Sequence, residues 1–285
     1  MPPSKIMPPL AGVMGWPVAQ SLSPRLHAYW LTRHGLTGNY VAMAVRPDRL
    51  ETAVRALPAL GFAGINVTIP HKESALRIVD RVDPLAQRIG SVNTIRVDAK
   101  GRLEGRNTDA YGFLAHLETS APDWRARDGR CVVLGAGGAA RAAVVALLDA
   151  GVSELAIVNR SRERADSLCA GLDDRRLSAA GWADRSALLR EAALLVNTTS
   201  LGMTGMPQLD INLSLMPAGG IVYDIVYHPL ETSLLREARQ RGLHAVDGLG
   251  MLIHQAVPAF EVFFGIRPQV DADLDRSLRA ELAQA

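Results

Sequence analysis

The chain has 285 residues, which at about 150 residues per domain predicts two domains with separate cores. Its hydrophobic share of 48% and charged share of 21% sit near globular averages, and a formal net charge of +2 makes nucleic acid and anionic membrane poor partners. Cys131 and Cys169 stand in unrelated settings that suggest neither a disulfide framework nor a zinc site and fit a reducing cytoplasm; residues 1–9 hold no signal-peptide core, and no apolar run approaches the ~20 residues that span a bilayer.

From the start, short β-like runs alternate with helical ones: LAGVMGW, SPRLHAYWLTRHG, YVAMAV, PDRLETAVRALPALG, FAGINVTIP, KESALRIVD. That rhythm predicts βαβ units and a mostly parallel sheet. Over residues 92–105 the text becomes VNTIRVDAKGRLEG, whose Ala-Lys-Gly reads as a hairpin turn and predicts an antiparallel edge. A helical stretch over 110–117 leads into the polar segment 120–129, where the domain boundary is expected. A second alternating series follows: CVVLGAGG, AARAAVVALLDAG, ELAIVNR, ERADSLCAGL, RLSAAGW, ALLREA, ALLVNTT, GIVYDIVY, TSLLREARQRG, HAVDG. Two helical patterns close the chain and are expected to fold back on the first domain. The organisation expected is an α/β chain with an N-terminal α/β substrate domain over 1–117, completed by helices in 249–285, and a Rossmann-type domain over 118–248.

The strand CVVL meets Gly135-Ala136-Gly137-Gly138-Ala139 at the start of a strong helical pattern. Small residues let a backbone approach a pyrophosphate, and free N–H groups at a helix start favour an anion. The spacing departs from the full G-x-G-x-x-G, with Ala140 at the third small position, and such turns also bind flavins or other nucleotides, or nothing. The next strand ends in Asn159-Arg160-Ser161-Arg162-Glu163-Arg164. Arginines where an NAD enzyme would carry an acid argue for a 2′-phosphate and hence NADP, against the plainer reading of a solvated helix start.

Polar clusters mark strand ends and helix starts in the first domain: Ser21-Leu22-Ser23-Pro24, Asn66-Val67-Thr68-Ile69-Pro70-His71-Lys72, Asn93-Thr94 and Asn107-Thr108-Asp109. Ligands of open α/β sheets bind outside the carboxyl ends of strands, so these clusters can share one crevice. Each also has a capping reading: Ser23 before a proline, Thr68 and Asp109 at helix starts. Carbonyl reduction builds negative charge on oxygen and needs a cation and proton donor. Lys72 suits that task, Asp109 would orient its ammonium, and the surrounding hydroxyls and amides suit a polyhydroxylated small molecule. His71 and Cys131 read as packing residues. The seven histidines show no ligand spacing, so no metal is expected.

Taken in order, SLSP, NVTIPHK, VNT, NTD, GAGGAAR, the arginine-rich NR segment, NTTSLGM, DIVYHP and DGLGMLIHQA resemble the shikimate dehydrogenase family over nearly the whole chain. The resemblance implies NADPH-dependent reduction of 3-dehydroshikimate to shikimate. It implies Lys72 and Asp109 as the catalytic pair, and Ser21, Ser23, Thr68, Asn93 and Gln255 as substrate ligands. It also implies Asn66 lining that pocket, Tyr227 near the ring, and Ile225 and Gly248 beside the cofactor. Serine rather than threonine at position 23 favours shikimate over quinate, and Arg160 favours NADP over NAD. Gln20 and Ser91 depart from the histidine and alanine usual there and bear on fine specificity. Two alternatives stay open: a quinate/shikimate dehydrogenase of broader cofactor use, and a catalytically silent NADPH-binding regulator. Either a monomer or a homodimer is expected, with hinge closure bringing the two ligands together.

Overall fold

The computed structural model describes residues 8–284, so most of the start of the chain, where no leader is expected, lies outside the described residues. Contacts divide the chain into two compact units, Met1–Thr108 with Gln255–Leu274 and Asp109–His254 with Asp275–Ala285.

In the first unit the elements are β1 (Leu10–Gly15), α1 (Ser23–Arg33), β2 (Asn39–Ala44), α2 (Leu50–Ala56), β3 (Gly64–Val67), α3 (Lys72–Ile78), β4 (Arg81–Val82), α4 (Pro84–Ile89), β5 (Thr94–Val97) and β6 (Leu103–Arg106). They form one sheet in the order β2-β1-β3-β5-β6-β4. Strand β1 runs parallel to β2 and β3, and β5 runs antiparallel to both β3 and β6. The hairpin expected over 92–105 therefore exists, with Asp98 Oδ1 accepting from the N–H groups of Lys100 and Arg102 across its turn at 2.8 and 2.9 Å. It is not the sheet's edge: the short β4 pairs outside β6. Two residues are too few for alternation to register, which is why β4 escaped the sequence reading. Helix α4 escaped it too, although Asp83 accepts from Ala86 N at 2.8 Å and Pro84 opens the helix.

This topology matters because β1, β3 and β6 all point their carboxyl ends the same way, and β5 begins there. Residues 15–24, 66–72, 93–94 and 107–108 consequently line one edge of one sheet. The core beneath is apolar: Ile65, Val67, Ile95, Leu103 and Val54 are almost wholly excluded from solvent.

The second unit contains α5 (Asp109–Ser120), β7 (Arg130–Leu134), α6 (Gly138–Ala150), β8 (Leu155–Asn159), α7 (Arg162–Leu172), β9 (Leu177–Gly181), β10 (Ala192–Asn197), β11 (Ile221–Asp224), α8 (Ser233–Gln240) and β12 (His244–Val246). Its sheet is wholly parallel in the order β12-β11-β10-β7-β8-β9, which from β9 inward is the doubly wound order 3-2-1-4-5-6. Strands β7, β8 and β10 read as unbroken apolar runs because both faces are covered. The segment ALLREA, which reads in the sequence as one of the periodic runs, is a short 3-10 turn over Ala187–Glu191.

Helix α9 (Leu249–Phe264) starts in the second unit and from Gln255 onward belongs to the first, and α10 (Ala272–Leu282) follows. The sequence places the boundaries at 117 and 248, whereas the compact units divide at Thr108 and His254. Residues 275–285 stay with the second unit because the Arg279 guanidinium meets Asp247 at 2.8 Å and Asp275 at 2.7 Å. No described helix is long and apolar enough to cross a membrane.

Candidate active site

In the first unit a buried polar seam follows the strand edge. Asn66, near the end of β3, donates through Nδ2 to Thr94 Oγ1 at 2.9 Å and to the Asn93 carbonyl at 3.2 Å. Asn93 donates through Nδ2 to Thr108 Oγ1 at 2.9 Å, while its Oδ1 accepts from Thr108 N at 2.7 Å and Thr94 Oγ1 at 3.1 Å. Gln255 on α9 completes the run, its Oε1 3.4 Å from both Asn93 Nδ2 and Thr108 Oγ1. Every residue of this seam is at least nine-tenths buried. An unpaired buried polar group costs ~1–3 kcal/mol, so mutual satisfaction holds these side chains in single orientations.

Above the seam the more open groups gather. Ser21, Thr68 and Lys72 are half-buried. Thr68 N donates to Met14 O at 2.9 Å, extending the β3–β1 ladder, and its carbonyl accepts from His71 N at 2.9 Å in the turn that delivers Lys72 to the start of α3. The Lys72 carbonyl accepts from Val92 N at 2.9 Å, which fixes that start against the approach to β5. Ser23 does not cap α1; its N–H instead donates to Ser21 Oγ at 3.3 Å, so the capping reading fails and the hydroxyl is available for other work. Nor does the imidazole beside the lysine face outward: His71 is buried with Nε2 2.7 Å from the Val45 carbonyl, and burial lowers its pKa. Ser91, one of the departures, is buried and its hydroxyl accepts from Asn107 Nδ2 at 3.1 Å, adding a tie beside Thr108.

In the second unit the candidate cofactor residues lie at carboxyl ends of parallel strands. Gly135 follows β7 with φ +113°, and a Cβ there would stand 2.6 Å from Thr198 Oγ1 at the end of β10, so glycine is required where the strand order reverses. Gly137 precedes α6 with no side-chain cap and with open space where a Cβ would stand, and no acid occupies the first turn. Helix-start N–H groups left open by small residues fit a dinucleotide pyrophosphate. Asn159 ends β8 and donates through Nδ2 to Ser161 O at 2.9 Å, which shapes the turn carrying Arg160. Arg160 is exposed and, among the described residues, engages no ion pair or hydrogen bond. Arg162 is paired with Asp166 at 3.1 Å, and Arg164 is also engaged, so of the three arginines it is Arg160 that is left for a 2′-phosphate. The residues present thus fit NADP.

Ile225 follows β11, and a Cβ on Gly248 would fall onto the Ile225 carbonyl, which brings these two sites together. Tyr227 is half-buried in the same loop. Asp109 opens α5 in the second unit, 4% exposed. Sequence reasoning missed Asp224, fully buried at the end of β11, whose carboxylate accepts from Asn197 Nδ2 at 2.9 Å, Val226 N at 3.1 Å and Thr232 Oγ1 at 2.7 Å. With no cation supplied by these contacts, burial raises its pKa to about 6. Thr94 and Thr108 belong to the strand-end clusters of the sequence but have no role assigned there; both prove to be members of the buried seam. Cys131 is buried on β7, its thiol pushed up to about 12 by burial, which leaves it inert. Among the described residues no three His, Cys, Asp or Glu side chains are grouped to hold a metal.

A doubly wound parallel sheet with a glycine cradle at its switch point and a free arginine after its second strand defines a dinucleotide-binding α/β protein, here joined to a second α/β unit with a polar strand edge. The signature of the shikimate dehydrogenase substrate binding domain matches residues 13–95, that of shikimate/quinate 5-dehydrogenase residues 117–205, and that of the shikimate 5′-dehydrogenase C-terminal domain residues 248–275. The chain is 57% identical over 265 residues, covering 93% of itself and 96% of the relative, to shikimate dehydrogenase (NADP(+)) of Paramagnetospirillum magneticum. It is similar to the crystal structure of a Thermus thermophilus shikimate 5-dehydrogenase in complex with NADP(H) and shikimate, with TM-score 0.83, 38% identity and 96% and 99% of the two chains covered. It is similar also to a Corynebacterium glutamicum quinate dehydrogenase in complex with NAD, with TM-score 0.86, 30% identity and 98% and 99% coverage. The chain belongs to the shikimate dehydrogenase family.

Proposed function

We propose that this chain is an NADP-dependent shikimate dehydrogenase, reversibly reducing 3-dehydroshikimate to shikimate, a step towards aromatic amino acids. Family membership supports the reaction. The observation within the chain that carries the reading is the open space over Gly137 at the start of α6, followed one strand on by Arg160, which has no ion pair or hydrogen bond among the described residues.

The first unit is the substrate domain and the parallel-sheet unit the cofactor domain. Gly135, Ala136, Gly137, Gly138 and Ala139 hold the pyrophosphate, Asn159, Arg160, Ser161 and Arg164 surround the adenosine 2′-phosphate, and Ile225 and Gly248 flank the nicotinamide. When bound, NADPH supplies the hydride for the carbonyl. Lys72 donates the proton that the developing alkoxide needs and, as a cation, stabilises it; in the reverse direction the amine accepts that proton. Asp109 holds the ammonium and a neighbouring substrate hydroxyl. Ser21, Ser23, Asn66, Thr68, Asn93, Tyr227 and Gln255 bind the remaining hydroxyls and the carboxylate, replacing hydrogen bonds that the substrate loses on leaving water. A silent binding module has no need of a proton donor and its partner carboxylate, so Lys72 and Asp109 favour the enzyme. The enzyme works as a monomer or homodimer on small molecules, and its two unpaired cysteines suit a reducing cytoplasm.

Purified protein assayed with shikimate and NADP beside quinate and NAD, followed by nicotinamide absorbance, tests the reading. Turnover with shikimate and NADP well above the other pairings is expected; turnover only with quinate or only with NAD would replace it with the broader dehydrogenase, and none with any pair would leave the binding module.

A further inference from the structure

One buried hydroxyl stands directly behind one of the proposed substrate ligands. Tyr40, in the edge strand β2, is 8% exposed, and its hydroxyl donates to Asn66 Oδ1 at 2.7 Å. The orientation of that amide is fixed from its other end, because Asn66 Nδ2 is committed to Thr94 and the Asn93 carbonyl. Tyr40 therefore ties the edge strand β2 to the end of β3 across β1.

The ring is held as firmly as the hydroxyl. His27 lies one turn after Ser23 on the same face of α1 and stacks on Tyr40 with ring centroids 3.8 Å apart and 5° between planes. His27 is fully buried with neither ring nitrogen hydrogen-bonded, so what it presents to Tyr40 is a flat face. Burial holds its pKa down to about 3, so that face is uncharged. Phe260 and Phe263 of α9 close the far side of His27, with centroids at 5.7 and 6.3 Å. Helix α1 thus supplies the ring that fixes Tyr40, and Tyr40 in turn fixes Asn66.

We propose that Tyr40, braced by His27, is a positioning residue for substrate binding, holding the Asn66 amide in the orientation in which it meets the substrate. The proposal rests on the dehydrogenase reading given above. Without the Tyr40 hydroxyl, Asn66 Oδ1 loses its donor and the amide is no longer fixed from both ends.

Tyr40→Phe keeps the ring and its stacking and removes only the hydroxyl. The expected result is a shikimate KM raised by about tenfold, the size of one buried hydrogen bond to a binding group. The NADP KM should stay within about twofold of wild type. Combining Tyr40→Phe with Asn66→Ala should give less than the product of the two single effects on shikimate KM, since Tyr40 acts through Asn66. An unchanged shikimate KM, equal increases in both KM values, or independent effects in the double variant would each overturn the proposal. Failure of Tyr40→Phe to fold would also overturn it, by making the hydroxyl an element of stability rather than of positioning. Wild-type turnover, measured alongside, tests the dehydrogenase reading itself, so the two can fail separately.

Discussion

In the first unit the strand ends present side chains, Asn66, Asn93 and Thr108, that are buried and hydrogen-bonded to one another or to neighbours, with Gln255 of α9 against them. In the second unit the strand ends present backbone, at Gly135 through Ala139, with side chains withdrawn. The first arrangement suits a small, hydroxyl-rich ligand, because each donor and acceptor can be matched separately and a mismatch leaves a buried group unpaired. The second suits a pyrophosphate, which asks for close approach and a row of N–H groups whatever the rest of the ligand. Selectivity is therefore expected to be tunable residue by residue in the first unit and nearly all-or-none at the glycines of the second.

The largest effect is expected at Lys72. Lys72→Ala should lower turnover by ~10²- to 10⁴-fold with little change in shikimate KM, since general acid catalysis contributes about that much and ground-state binding rests on other groups. Near-normal turnover would reassign the proton donor. The glycine cradle comes next and sharpens the contrast. Gly135→Ala meets Thr198 and must adopt φ +113°, so the protein should lose stability by ~1–3 kcal/mol as well as cofactor affinity. Gly137→Val has room for its Cβ and an extended backbone, so it should melt near wild type yet raise the NADPH KM by about tenfold or more, because its side chain fills the space the pyrophosphate needs. Equal stability losses at the two positions would erase the distinction between a glycine needed for folding and one needed for binding.

Arg160 should give a smaller and more selective effect. Arg160→Ala should raise the NADPH KM by ~10- to 100-fold, the size of a lost charge-assisted contact, and leave the NADH KM almost unchanged. An equal loss with both cofactors would mean that the residue shapes the turn instead of reading the phosphate.

The parallel sheet was plain in the sequence because β7, β8 and β10 each carry an apolar run, CVVL, LAIV and AALLV, and β7 and β8 lead directly into the helices α6 and α7. The strand-end clusters were plain because polar residues interrupt apolar runs there. What was not legible depended on contacts between residues far apart in the chain. Tyr40 reads as an ordinary aromatic in YVAMAV, and its link to Asn66 exists only once β1 is laid between β2 and β3. Asp224 reads as a strand-end acid, and its burial without a cation follows from Asn197 and Thr232 converging on it. The edge strand β4 is two residues long and carries no period to detect. Asp109 shows the same limit at the boundary: a polar stretch marked the break after α5, whereas packing of α5 on α6 assigns that helix to the second unit.

Asp224 gives the finest test of the contrast, because it is the one buried carboxylate at the parallel strand ends whose environment opposes its charge. Its pKa stands at about 6 against an ordinary 3.8, so between those values the folded protein holds a proton that the unfolded chain has released. Stability linked to this group is greatest below about pH 4, falls as pH rises through about 6, and is level above that, by at most about 3 kcal/mol at roughly 1.4 kcal/mol per pH unit. Asp224→Asn keeps an acceptor for Asn197 and Val226 and can donate to Thr232, but cannot ionise. Melting curves should therefore show the variant gaining on wild type as pH rises from about 4 to about 6, with the gap constant at higher pH. A gap independent of pH would mean that the three hydrogen bonds compensate the buried charge in full, and that polar side chains are as well satisfied at the strand ends of the parallel sheet as in the seam of the mixed one.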